Sequence, residues 1–448
     1  MNAFTAIRLP VHRGPAAWST ILPEVGQPVA LDGDITVDVA IIGGGFAGLS
    51  AARRLHQIDP RLRIAVVEAG RLAEGASGRN SGFMIDLPHD VSSEDYSGKG
   101  LAADQEIIAL NRAAISFARS NVQDYGIAPA FFDPAGKING AASATAHALN
   151  DSYAAHLVRL GEPSEKLDEK AMFELTGSRH YVSGLYTPGT VMLQPAGYIR
   201  GLGAGLRRDG VHVLESTPVV RFEREGASWI LSTKRGRIAA DKVMMANNGH
   251  LESFGFKRKR LMHIFLYASM TAELDDETVS RLGGHPRWGI TPSDPMGTTM
   301  RRIDTAQGGN RIVTRTCASY LPGMLPSEAT LARAARIHRK KFADRFPAIA
   351  KAPMEFSWAG HLCLSWNGVS VMQELEKGLY SACCCNGLGT VRSTLTGIGA
   401  ADLLCGVSSD IAAHFLAEGE PSRLTPSPFD RLGASLFLRW REWKARSE

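Results

Sequence analysis

The chain has 448 residues, 44% of them hydrophobic, enough for two or three domains with packed cores. Its formal charge of +5, from 50 basic and 45 acidic residues, comes without a basic run, which argues against a nucleic-acid binder. The opening MNAFTAIRLPVHRGPAAW lacks the apolar centre of a secretory signal, and no uncharged apolar stretch reaches the length of a transmembrane segment.

The six cysteines have no metal-ligand spacing, so no metal site is expected. Three of them, Cys383 to Cys385, are consecutive and read as small buried residues of a strand. The compartment this suggests is reducing and cytoplasmic.

After a Pro- and Gly-punctuated lead, Asp38 to Ile42 is an apolar run of strand type. The spacing of Leu49, Ala52 and Leu55 predicts a helix over Ala47–Gln57, and Ile64–Val67 predicts a second strand ending at Glu68. Strand, glycine turn, helix and strand make a βαβ unit and so a parallel sheet. Leu101 to Leu160 reads as mostly helical, then Ala196–Arg208 as a helix and Val211–Leu214 as a strand. Trp229–Thr233 and Arg237–Ala239 predict a hairpin, and Lys242–Ala246 a buried strand. An α+β stretch occupies 251–354, followed by a strand at Leu379–Cys384 and a helix from Ser393 to Cys405. The basic, aromatic stretch Leu432–Lys444 reads as a closing helix packed on the domain, with a membrane-surface helix as the alternative.

The strongest chemical signal is Gly43-Gly44-Gly45-Phe46-Ala47-Gly48. Gly43 allows the tight turn, Gly45 lets backbone approach a pyrophosphate, and Gly48 lets the helix pack closely on the strand. Phosphates then meet the helix N-terminus, where unpaired N–H groups favour negative charge. Glu68, 20 residues beyond Gly48, is placed to accept hydrogen bonds from a ribose. A second small-residue loop, Gly75-Ala76-Ser77-Gly78-Arg79-Asn80-Ser81-Gly82, follows Ala69-Gly70-Arg71 and can wrap a diphosphate from its other side. NAD enzymes rarely need such a loop, so FAD is the expected cofactor.

These segments resemble the D-amino-acid-oxidase superfamily of flavoenzymes, and most of all its γ-glutamylputrescine-oxidase-like branch. Later segments are similar in the same order: Thr217-Pro218-Val219, Ala246-Asn247-Asn248-Gly249-His250, Trp358-Ala359-Gly360 and Asn386-Gly387-Leu388-Gly389-Thr390. The likeness runs from about residue 15 to 445. It departs at His250, where the family has an aromatic, at Ser365–Val369, which lacks a proline, and at the three cysteines before Asn386.

The resemblance implies a glutathione-reductase-type FAD-binding Rossmann-like domain plus an α+β substrate domain with an antiparallel sheet. The expected division is 30–95, 190–250 and 355–420 for the FAD domain, 96–189 and 251–354 for the substrate domain, and 421–448 as a helical tail. Residues 386–390, opening a helix, would direct N–H groups at the flavin's pyrimidine carbonyl.

On the substrate side, Thr298–Arg302 and Arg311–Arg315 read as paired strands around Gly308-Gly309. Alternation puts Arg311 and Arg315 on one face and points Arg301 and Arg302 oppositely. The family's substrate carboxylate commonly meets a basic residue of this sheet, which makes Arg301, Arg302, Arg311 and Arg315, with His250, the catalytic candidates. Some sarcosine-oxidase-like relatives attach flavin to a cysteine near Cys363; non-covalent FAD is expected here. The implied reaction oxidises a C–N bond of an amine or amino acid by hydride transfer to flavin N5, with hydrolysis of the imine and return of electrons to O2 or another acceptor. A non-amine FAD dehydrogenase and a flavin-carrying subunit without turnover remain the alternatives.

Overall fold

Five short parallel strands form the centre of the first sheet, in the order His212–Leu214, Ile64–Val67, Ile35–Ile42, Arg237–Met245, Leu379–Cys383. The computed structural model describes residues 3–88, 100–426 and 428–448. Val39, Ala40, Ile41 and Ile42 are all buried, as a parallel strand covered on both faces requires. On one face the helices Phe46–Ile58, Pro195–Arg208 and Gly389–Cys405 pack Leu49, Leu55, Ile199, Leu202 and Leu395 against Val39, Ile41 and Val66. The other face joins Val37, Ala40 and Val67 to Phe222, Trp229 and Phe254. Two helices meet at backbone contact: a Cβ on Gly397 would lie 2.2 Å from the Ala47 carbonyl.

The second sheet has eight strands, ordered Met354–Ser365, Leu261–Thr271, Arg311–Tyr320, Thr299–Ile303, Trp288–Pro292, Lys137–Ala141, Ser183–Thr187, Glu165–Asp168. One face contributes Ala268, Met270, Ile303, Val313 and Trp358 to the core shared with the first sheet. The opposite face packs Ile138, Trp288, Ile290, Met300 and Ile312 around Phe342 and Phe346.

The βαβ unit lies where its periodicity puts it, and several other elements differ from expectation. The stretch 101–160 is mostly helical as read, in Leu101–Tyr125 and Ala144–Leu160, but the first helix stops at the left-handed Gly126 and the unforeseen strand Lys137–Ala141 intervenes. The two strands expected at 237–239 and 242–246 are one, Arg237–Met245, hydrogen-bonded to the hairpin partner at its start and to parallel neighbours along its length. Helix Gly389–Cys405 begins four residues before Ser393. The strand Met354–Ser365, placed at the head of the 355–420 segment, pairs in the second sheet. The 95/96 boundary lies outside the described residues. Among the described residues no single helix is long and apolar enough to cross a membrane.

The tail is fastened to the second sheet. Glu448 Oε1 accepts from Arg345 Nη2 at 2.9 Å in a fully buried pair, and Arg345 also donates to the Tyr181 hydroxyl at 3.1 Å. Removing one partner leaves the other charge buried and unpaired, which costs about 3–5 kcal/mol. Glu448→Ala is therefore expected to lower the urea-unfolding free energy by about that amount. A loss below about 1 kcal/mol would show that the pair is solvated.

Candidate active site

The turn after strand Ile35–Ile42 is built for glycine. Gly43 has φ +117°, and a Cβ there would lie 2.6 Å from the Ala246 carbonyl. One on Gly48 would lie 1.9 Å from the Gly43 carbonyl, so the helix packs directly on the turn. Gly45 is different. Its backbone is extended, and a Cβ would meet nothing nearer than Ser77 at 3.8 Å. At Gly75 there is nothing within 4 Å. Protein packing does not demand glycine at either position, whereas a ligand lying against the backbone would.

Gly45 and Gly75 border one cleft. It is lined by Gly43, Ala246 and Asn247, by Glu68, Ala69 and Arg71, by Ala76 and Ser77, and by Val219. His12, His250, Phe265 and His361 line it as well. The helix Phe46–Ile58 opens into it with no side-chain cap, which leaves its first N–H groups available to an anion. Two further donors here lack partners, Arg71 Nε and Asn247 Nδ2. Glu68, half-buried, accepts from Gly44 N–H at 2.8 Å and Gly70 N–H at 3.1 Å. Burial raises its pKa, opposed by these N–H groups. A glycine cradle, uncapped helix, orphaned donors and a carboxylate fit the diphosphate and ribose of FAD.

Other expected cofactor residues have structural partners. Arg79 is buried, donating to the carbonyls of Glu74, Arg13, Ala359 and Gly14 at 2.6–3.3 Å, so its guanidinium clamps backbone and does not line the cleft. Asn80 caps its own loop through Ser77 O at 2.6 Å and Gly82 N–H at 2.8 Å. Arg301 Nη1 binds Ser81 O at 3.1 Å and occupies the space a Gly82 Cβ would need. Phe46 stacks on Tyr198 in the core beside Ala47. Gly360 faces the Arg79 backbone, where a Cβ would be 3.1 Å from its carbonyl. Gly387 has φ +86°, Leu388 caps the helix begun by Gly389 without a side-chain bond, and Thr390 Oγ1 donates to Phe83 O at 2.6 Å. Gly249 packs against His361 and His263.

The four arginines separate clearly. Cross-strand pairs Thr299–Arg315, Arg301–Val313 and Ile303–Arg311 put Arg301, Arg311 and Arg315 on the face toward the first sheet and Arg302 on the other. Arg302 donates to Gly283 O, Arg311 pairs with Glu355, and Arg301 binds Leu193 O beside the Trp18 ring. Arg315 has no ion pair among the described residues; its Nε is buried without a partner, and burial pushes its pKa down to about 10.

A histidine cluster was not foreseen. His263 Nε2 meets Glu252 Oε2 at 2.7 Å, and His263 Nδ1 meets His361 Nε2 at 3.1 Å. His361 stacks on Phe265 and lies edge-on to His250. Its position just after Trp358-Ala359-Gly360 was the one available signal; nothing in sequence placed His12 or Glu252 beside it. Cys363 is fully buried, and its contact with Cys384 together with burial holds the thiol protonated, which suits non-covalent flavin.

The chain matches the FAD dependent oxidoreductase (DAO) family over residues 38–403. It belongs to that family. A probable oxidoreductase, OrdL, of Rhizobium meliloti is 23% identical over 413 residues, covering 90% of this chain and 91% of that protein. The gamma-glutamylputrescine oxidoreductase of Escherichia coli is 23% identical over 428 residues, 91% and 93% of the two chains. Among solved structures, glycine oxidase from Geobacillus kaustophilus superposes with a TM-score of 0.69 at 20% identity, covering 87% of this chain and 100% of its own. L-amino acid deaminase from Proteus myxofaciens gives 0.67 at 15% identity, covering 90% and 96%. The flavoenzyme fold and FAD dependence are thereby established.

Two outcomes follow. Gly45→Val should yield folded protein without yellow colour, because the added side chain enters ligand space and not protein; a variant as yellow as the parent would move the diphosphate elsewhere. The second concerns pH. Burial depresses His12, His180, His250 and His338 to about 4. The unfolded chain takes up these protons near pH 6.5 and the folded chain does not, so stability falls as pH drops from about 6.5 toward 4. A urea midpoint that stays flat across this window would show the imidazoles to be solvated.

Proposed function

We propose that the protein oxidises the C–N bond of a carboxylate-bearing amine or amino acid. The observation that carries this reading is Arg315, a half-buried guanidinium whose Nε is buried without a partner and which has no ion pair among the described residues, on the sheet face turned toward the FAD-binding layer. A desolvated cation of this kind is stabilised by an anion, and guanidinium binds carboxylate through two parallel hydrogen bonds. The names of the glycine oxidase and amino acid deaminase neighbours point the same way.

FAD, when bound, supplies the two-electron acceptor for hydride from the carbon of the C–N bond. The chain's own part is positioning and proton handling. With Glu252 ionised, His263 Nε2–H donates to it, so His263 Nδ1 accepts from His361 Nε2–H and His361 Nδ1 is left as an acceptor. This tautomer follows from the partners. His361 is depressed well below its ordinary pKa by burial first and then by the neighbouring imidazoles, and His250 is also neutral near pH 7. These neutral imidazoles line the FAD cleft, where they can hydrogen-bond a bound ligand, on the face of the second sheet opposite to Arg315. The imine product hydrolyses in water, and O2 or another acceptor removes the electrons.

Arg315→Met is expected to slow anaerobic flavin bleaching by carboxylate-bearing amines at least about tenfold, or about 1.4 kcal/mol, with FAD content unchanged. Arg301→Met should instead destabilise the fold, since Arg301 joins Ser81 and Leu193 across the layers. If Arg315→Met bleaches at the parental rate, the carboxylate reading fails and an uncharged amine takes its place.

A further inference from the structure

The C-terminal helix Phe429–Lys444 is fastened along one side and bare along the other. Asp430 accepts from the Tyr320 hydroxyl at 2.9 Å. Glu442 accepts from Arg333 at 2.6 Å and from Ala318 N–H at 3.2 Å, and Lys341 donates to Ala445 O at 3.0 Å. With the buried Glu448–Arg345 pair beyond it, this side cannot roll outward. The opposite side carries Phe429, Leu432, Leu436, Trp440 and Trp443, at steps of three, four, four and three, which is one row of a helix. These five side chains are 44–70% exposed. The closing helix foreseen as packed on the body thus packs through its polar side and presents its apolar row to solvent.

The charges around the row are one-sided. Arg439, Lys444 and Arg446 are exposed beside it, and Arg431 is exposed farther round the helix. Lys444 Nζ lies over the Trp440 ring at 4.4 Å and Arg446 over Trp443 at 4.1 Å. All three acids of the segment, Asp430, Glu442 and Glu448, are drawn inward, although Arg439 also reaches Glu442 at 3.0 Å. A row of Trp, Phe and Leu rimmed by Arg and Lys is the pattern of a helix lying in the plane of a lipid interface. A second copy of the chain is disfavoured, because pairing this face with itself would set basic rims together without an exposed acid between them.

We infer that this helix docks the protein on an anionic membrane surface, its apolar row entering the headgroup region without crossing the bilayer. This goes beyond the proposed reaction and does not depend on it. The test uses the full-length FAD-loaded protein and sedimentation with vesicles of phosphatidylcholine plus phosphatidylglycerol, against vesicles of phosphatidylcholine alone. Binding should be several-fold stronger to the anionic vesicles and weaken with salt. The triple variant Leu436→Ser, Trp440→Ser, Trp443→Ser should lose about tenfold of it while keeping the parental flavin absorbance and circular dichroism. Charge reversal at Arg431 and Arg439 should weaken binding to anionic vesicles only. No binding to anionic vesicles would overturn the inference, as would binding unchanged in the triple variant. Light scattering that shows a dimer abolished by the triple variant would assign the row to a protein seam instead and equally overturn it.

Discussion

The Glu68 carboxylate, at the end of strand Ile64–Val67, ties the two loops on which the cofactor cleft depends. Oε2 holds the Gly44 N–H within the first glycine turn, and Oε1 holds the Gly70 N–H in the link that leads to the second loop. Between them, a Cβ on Gly44 would come within 2.8 Å of Leu72 and 3.1 Å of Glu68 itself, so the turn closes directly on the carboxylate. Leu72 is held in turn by its N–H to Glu215 at 2.7 Å, and Glu215 by Arg207 at 2.7 Å. The uncapped N–H groups of helix Phe46–Ile58 therefore face a cleft whose glycine turn and Ala69–Arg71 lining are tied together by one side chain. Backbone N–H donors that are preorganised in this way favour an anion without reorganising when it arrives.

Arginine does two jobs in this molecule, distinguished by what its nitrogens meet. Arg79 and Arg301 are both buried and both depressed by that burial, to about 10 and about 9, yet each is surrounded by backbone carbonyls. Such a guanidinium works as a multi-pronged clamp, joining the 75–82 loop to residues that are distant in sequence. Arg315 is depressed to a similar degree by the same cause and has no such set of carbonyls. A side chain carrying that desolvation without compensation is where a ligand gains most.

Much of the cofactor end was legible because it is local. Gly43 to Gly48 and Glu68 lie within one βαβ unit, and hydrophobic period plus glycine spacing is enough to place them. The alternation of Arg311 and Arg315 was legible too, since a strand has only two faces. What alternation cannot give is which arginine meets carbonyls, because Leu193, Gly283 and Thr271 come from elsewhere in the chain. The histidine cluster was hidden for the same reason: Glu252, His263 and His361 come from a turn and two strands whose pairing is nonlocal. The strand Lys137–Ala141 was missed because its Ala-rich flanks carried the helical reading, although Pro134, Gly136 and Gly140 are breakers that interrupt it.

The C-terminal helix shows how far an amphipathic pattern alone can mislead. Its apolar row at steps of three and four is the ordinary mark of a helix packed on a core, and periodicity contains no information about which side the core is on. That side is decided by electrostatics here. Tyr320, Arg333, Arg345 and Lys341 present donors on the second sheet and its covering helix, and each takes an acceptor from the 430–448 segment. Turning the helix to bury Leu436 and Trp440 would break the Asp430 and Glu442 contacts and leave the fully buried Arg345 dependent on a displaced Glu448. Breaking the buried pair costs about 3–5 kcal/mol and each of the two charged hydrogen bonds about 1.5–3, together more than the roughly 3–6 kcal/mol that burying Leu436 and Trp440 would return. The polar side is therefore held inward, and the exposed row follows from the same ion pairs that close the fold.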